Sequence, residues 1–132
     1  MSNVLRNVAR FVSVFAMLFL PVSAHSATEQ AFTAQAFKAA QDAGKPILVE
    51  IHADWCPTCK AQQPILNKLS GETAFSNVVR LKVDFDGQKD LVKQFNAKMQ
   101  STLVLYKGKT EVARSVGETD EGRIRAMLQK AH

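Results

Sequence analysis

The sequence predicts an α/β domain built on a central mixed four-stranded sheet flanked by helices, and three observations carry that prediction. Short apolar runs of strand length alternate with amphipathic stretches of helix length, the pattern of parallel pairing through helical crossovers. Toward the C-terminus two such runs are joined across Lys107-Gly108-Lys109, a tight-hairpin signal that adds antiparallel pairing. The first apolar run leads directly into Cys56-Pro57-Thr58-Cys59, which opens a helical pattern.

Taken in order, residues 28–43 are rich in Ala and Gln and place Phe32, Ala36, Phe37 and Ala40 on one helical face, with Gly44 as the stop. After Lys45-Pro46, the run from Ile47 to Ala53 is mainly apolar, as in a strand covered on both faces. From Pro57 to about Leu69 the pattern is helical, with Ile65, Leu66 and Leu69 apolar and Pro64 expected to kink it. Residues 78–85 read as a second strand and 88–97 as a helix with Leu91, Val92 and Phe95 on one side. Thr102 to Tyr106 and Glu111 to Val116 form the hairpin, and Gly117 breaks the run. A last helix from about Thr119 to Lys130 turns Ile124, Met127 and Leu128 inward, with Thr119 or Asp120 as its N-cap.

A chain of 132 residues has room for one such core. Its start has a different character. Arg6 and Arg10 precede an apolar or small run from Phe11 to Leu20, which Pro21 ends. This is the layout of a secretory signal peptide covering residues 1–26, cleaved after Ala24 or Ser26. The run is well short of the roughly 20 residues a spanning helix needs, so no stable membrane span is expected after processing. The domain is then 27–132, exported, and in a bacterium periplasmic. Net charge is +5, and losing Arg6 and Arg10 leaves about +3. The remaining basic residues are scattered among acids, which argues against a nucleic-acid site.

Both cysteines lie in the one C-x-x-C, too close together to staple distant segments. In an oxidising compartment such an isolated pair points to redox chemistry. A strand turning into a helix at this motif puts Cys56 at the helix start, where free N–H groups and the positive dipole end stabilise a thiolate. Cys56 is therefore the expected nucleophile. Cys59, one turn along and facing inward, is the resolving thiol. Pro57 suits the first helical position, which needs no N–H. A zinc site of four cysteines is impossible within one chain. Glu50, an acid in an otherwise apolar strand, reads either as a desolvated proton exchanger or as a residue at a solvated strand edge.

From about Gly44 to Leu128 the chain resembles the thioredoxin family. The resemblance rests on Lys45-Pro46, Ala53-Asp54-Trp55-Cys56, Lys60, Pro64, Lys82, Thr102 and Gly117, in that order. It implies a thioredoxin-like fold. It also implies a thiol-disulfide oxidoreductase whose only redox group is the Cys56/Cys59 pair, acting as a monomer on protein disulfides and fed by an upstream dithiol donor. Glu50 falls where the family has a buried acid that takes the inner cysteine's proton, and Lys82 where a lysine lies near that acid. Trp55, Pro57, Thr58, Ser101 and Thr102 fall on the substrate-binding surface, although plain core packing is an alternative for Trp55.

Two departures stand out. Ser101 occupies the place of the family's cis-proline. A cis bond before a non-proline residue costs about 3 to 4 kcal/mol, so either this peptide is trans and the loop differs, or strain is retained. Loss of that proline also makes metal binding at Cys56 and Cys59 more plausible, giving an alternative function as a metal-binding or metal-delivery module in which His52 could join. His52 stands where the family commonly has a bulky aromatic, and either packs structurally or tunes the thiolate. Because Pro57-Thr58 replaces the commonest dipeptide between the cysteines, the potential is open between about −270 and about −120 mV, with the acid at Glu50 favouring the reducing side.

Overall fold

The computed structural model describes residues 28–132. The expected signal peptide and both of its cleavage points lie outside the described residues. The elements run β1 (Glu29–Ala31), α1 (Ala34–Asp42), β2 (Pro46–His52), α2 (Pro57–Ser70), a single 3-10 turn at Thr73–Phe75, β3 (Val79–Asp84), α3 (Lys89–Gln94), β4 (Thr102–Lys107), β5 (Thr110–Val116) and α4 (Glu121–Gln129). The sheet has the order β1-β3-β2-β4-β5, parallel on the β1/β3/β2 side and antiparallel through β4 and β5.

The predicted α/β class stands, with one strand more than the four expected. The extra strand, β1, comes from residues that composition assigned to the first helix. Thr33 is the N-cap of α1, its hydroxyl accepting the Ala36 amide at 3.1 Å, so helix begins only at Ala34. Ahead of that cap the chain pairs in parallel with β3, Glu29 opposite Arg80 and Ala31 opposite Lys82. Good helix formers on either side of the cap hide this boundary from a periodicity argument, because a three-residue edge strand has too few positions to show alternation.

β2 is the middle strand and is buried from Pro46 to Ile51, as a run covered on both faces should be. Ile47, Val49 and Ile51 pack with Phe32, Leu81, Val83, Phe95 and Val104 on one side of the sheet. Leu48 faces the other side, with Leu66 and Leu69 of α2, Leu103 and Leu105 of β4, and Ile124, Met127 and Leu128 of α4. By the same alternation Glu50 lies on the α2 side, where an unpaired charge would be costly. α2 runs on through Pro64, and α4 starts from the Asp120 cap, whose carboxylate accepts the Arg123 amide at 2.8 Å.

Candidate functional site

The site is assembled where β2 ends. The Cys56 amide donates to Ala53 O at 3.1 Å, closing the turn that brings the strand into α2. Cys56 is the N-cap, and its sulfur accepts the Cys59 amide at 3.1 Å. Pro57 takes the first helical position, where its missing N–H costs nothing. Both cysteines are free thiols, only 1% exposed, and pack with Ala53 and Phe85. Burial pushes the Cys59 thiol up to about 11, the neighbouring Cys56 sulfur adds to the rise, and the backbone amides of Ala53 and Ser101 pull the other way.

This has a measurable consequence. The folded dithiol form holds the Cys59 proton up to about pH 11, whereas an unfolded thiol releases it near 9.0. The unfolded state therefore binds fewer protons across this window, and the stability of the reduced protein should fall as pH rises through it. Denaturant titrations from pH 8 to 11 should show the decline, and Cys59→Ser should remove it.

Glu50 is 2% exposed, which overturns the solvated-edge reading. The cation beside it is Arg80, not Lys82. Arg80 Nε donates to Glu50 Oε1 at 2.6 Å and the guanidinium reaches Oε2 at 3.1 Å. Gln63 Nε2 donates to Oε2 at 3.0 Å. Arg80 is itself buried, and its other donors go to Asn67 Oδ1 at 2.8 Å, Ser70 Oγ at 3.4 Å and Glu29 Oε2 at 3.3 Å. Gln63, Asn67 and Ser70 fall on one face of α2, one, two and three turns beyond Cys59. Although Lys82 is in register with Glu50, its half-exposed ammonium pairs with Glu29 at 2.5 Å on the edge strand. Lys82 is thus beside Glu50 in register, but the cation bonded to the buried acid is Arg80.

Trp55 is 57% exposed, so core packing does not hold it; its indole N–H donates to Asp86 Oδ2 at 2.6 Å. His52 is largely buried with Nε2 3.1 Å from Asp54 Oδ1, while its Nδ1 is buried without a partner. Thr58 is half-buried and Thr102 buried, the latter donating its hydroxyl to Met99 O at 2.7 Å.

The Gln100–Ser101 peptide is trans, and Ser101 adopts φ of +59°, a left-handed conformation that serine rarely takes. Of the two alternatives left open by the missing proline, the loop differs, and strain enters through φ instead. The Ser101 amide donates to Ile51 O at 2.8 Å and its hydroxyl to Gln100 O at 2.5 Å. Its carbonyl accepts the Gly117 amide at 3.0 Å and the side chain of Gln62 at 3.2 Å.

A helix head aimed at one sulfur, with a second thiol buried beside it, is the arrangement of a dithiol that exchanges with disulfides. Residues 25–130 match the thioredoxin family profile. This chain belongs to the thioredoxin family. It is 34% identical to Thioredoxin C-2 of Corynebacterium nephridii over 89 residues, 67% of this chain and 82% of that protein. It is also 34% identical to the thioredoxin of Chlamydia trachomatis over 84 residues, 64% of this chain and 80% of the relative. Among solved structures, Trxlp of Edwardsiella tarda EIB202 is 40% identical with a TM-score of 0.74, covering 76% of this chain and 98% of that one. As a thioredoxin-family protein with an intact Trp-Cys-x-x-Cys motif, it is a thiol-disulfide oxidoreductase. The residues that sequence reasoning missed are Arg80, Gln62 and Gln63. Arg80 left a weak trace, as a charge within β3, whereas the two glutamines left none.

Proposed function

We propose that this protein reduces protein disulfides outside the cytoplasm. The observation that carries the proposal is the asymmetry of the pair: the Cys56 sulfur accepts an amide at the head of α2, and the Cys59 thiol is kept protonated by burial. The Cys56 thiolate attacks a substrate disulfide, forming a mixed disulfide and expelling one substrate sulfur, which takes up a proton. Cys59 then loses its proton and attacks the Cys56 sulfur. The second substrate thiol leaves, two electrons have passed to the substrate, and a disulfide joins Cys56 to Cys59 until a dithiol donor reduces it. The pair is the whole redox group in this scheme. Glu50 exchanges the Cys59 proton through water, since its own bonds go to Arg80 and Gln63.

The reducing direction is supported by family membership: the chain matches the thioredoxin profile, and thioredoxin lies at the reducing end of this chemistry, at about −270 mV. The potential measured against glutathione is expected nearer to about −270 than to about −120 mV. A value at the oxidising end would reverse the assignment.

Trp55 and Pro57, both exposed, together with Thr58, Ser101 and Thr102, are the proposed substrate surface. Export rests on the N-terminal pattern from Arg6 to Ser26. N-terminal sequencing of the protein recovered from the periplasm of an expressing bacterium should begin at His25 or Ala27. Recovery of the intact chain in the cytosol would remove the export proposal. For the metal-delivery alternative, the described residues bring no cluster of three or more His, Cys, Asp or Glu side chains together as a ligand set. Nor does the Ser101 amide offer itself to a ligand, because it is bonded to Ile51 O.

A further inference from the structure

Gln62 is a second polar residue on α2 that points inward, and its role is separate from the Glu50–Arg80 pair. It is 3% exposed, in a helix whose other buried positions include Cys59, Leu66 and Leu69. Its amide nitrogen donates to two backbone carbonyls far away in sequence, Ser101 O at 3.2 Å and Glu118 O at 2.9 Å. These carbonyls belong to two different segments, the one leading into β4 and the one leaving β5. The segments also touch directly, through the Gly117 amide on Ser101 O, and Thr102 is in register with Val116.

Each segment carries an exposed apolar side chain beside the clamped residue. Met99 is 54% and Val116 55% exposed, and with Trp55 they are the large apolar residues standing out to solvent among the described residues. Ser101 lies between them in a conformation that a side chain disfavours and that persists only when its surroundings over-determine it. Backbone bonds to Ile51 O and from the Gly117 amide hold Ser101 from the sheet, and Gln62 adds a constraint from the helix that also carries both cysteines.

We propose that Gln62 is a positioning residue for substrate recognition: by holding Ser101 and Glu118 to α2 it sets the spacing between the Met99 and Val116 flanks on which a polypeptide disulfide docks. The proposal rests on the reading that protein disulfides are the substrate. A small disulfide needs only the sulfurs and does not use the flanks. Without Gln62, Ser101 relaxes out of its left-handed conformation, the flanks move and protein binding weakens. The chemical step is left in place, because Cys56 keeps its helix-head bond.

The test compares insulin with 2-hydroxyethyl disulfide as substrates for the wild type, Gln62→Leu and Gln62→Asn. Gln62→Leu should raise KM for insulin about tenfold with kcat little changed, the pattern of lost binding shared by ground and transition states, while kcat/KM for the small disulfide stays within about twofold. Gln62→Asn keeps an amide in the site but is one methylene too short to reach both carbonyls, and it should show the same selective rise if leucine prevents folding. An unchanged insulin KM, or equal losses on both substrates, would overturn the proposal. If the wild type reduces the small disulfide but not insulin, it is the protein-substrate reading that fails.

Discussion

Cys56→Ser is expected to bring disulfide exchange down to the uncatalysed rate, while Cys59→Ser stops turnover at a stable mixed disulfide with substrate. The two thiols are not equivalent. Cys56 Sγ receives the Cys59 amide at 3.1 Å at the head of α2, where developing negative charge is favoured. Cys59 has its thiol lifted to about 11 by burial, so at neutral pH it is a neutral thiol waiting for a partner. Removing the first leaves no attacking sulfur, and removing the second leaves an adduct with no resolving one. The measurement is intact-protein mass spectrometry after incubation with an oxidised protein substrate: Cys59→Ser should carry the substrate's mass and lose it on reduction. Iodoacetamide should label Cys56 first in the reduced wild type at mildly acidic pH. Labelling of Cys59 first would reverse the roles.

The largest expected effect on stability is at Arg80. Replacing it with methionine leaves the Glu50 carboxylate in the interior with only Gln63 as partner, and unpairing a buried charge costs about 3 to 5 kcal/mol. Glu50→Gln alone should also destabilise, since it leaves the guanidinium buried with Glu29 as its one nearby acid, 3.3 Å away. The double variant Glu50→Gln/Arg80→Met should lose much less stability than the sum of the single losses, because it removes both charges together. Urea unfolding of the four proteins measures the coupling. Additive losses would mean that the pair does not act as a unit. The double variant also provides the clean test of proton exchange by Glu50: its turnover near neutral pH should fall relative to wild type, and an unchanged pH–rate profile would assign Glu50 to structure alone.

Much of this site was legible because its signals are local. A strand that runs into Cys56-Pro57-Thr58-Cys59 and on into helix is specified within a dozen residues, and the N-cap role of Cys56 follows from Pro57 at the first helical position. Glu50 was recognisable as an acid inside an apolar strand. Its cation was not. Arg80 and Lys82 stand two apart on β3 and so share a face, and the pattern alone does not say which is covered. Gln62 and Gln63 likewise read as ordinary helix residues, although one clamps two loops and the other holds Glu50.

What the amino-acid sequence determined by itself is the fold class, the order of β2 through α4, the cysteine motif at a helix head and the departure at Ser101. These follow from short-range patterns, namely side-chain period, caps, breakers and the spacing of two thiols. Tertiary structure decided the fifth strand, whose three residues find their place only against β3, and the choice of Arg80 over Lys82 as partner of Glu50. It also decided how Ser101 is accommodated, with a trans peptide, a positive φ and Gln62 holding the carbonyl. The physical reason is the same in each case. A buried polar group must find its partner wherever the packed chain brings one, here between 10 and 56 residues away, and no local periodicity records that meeting.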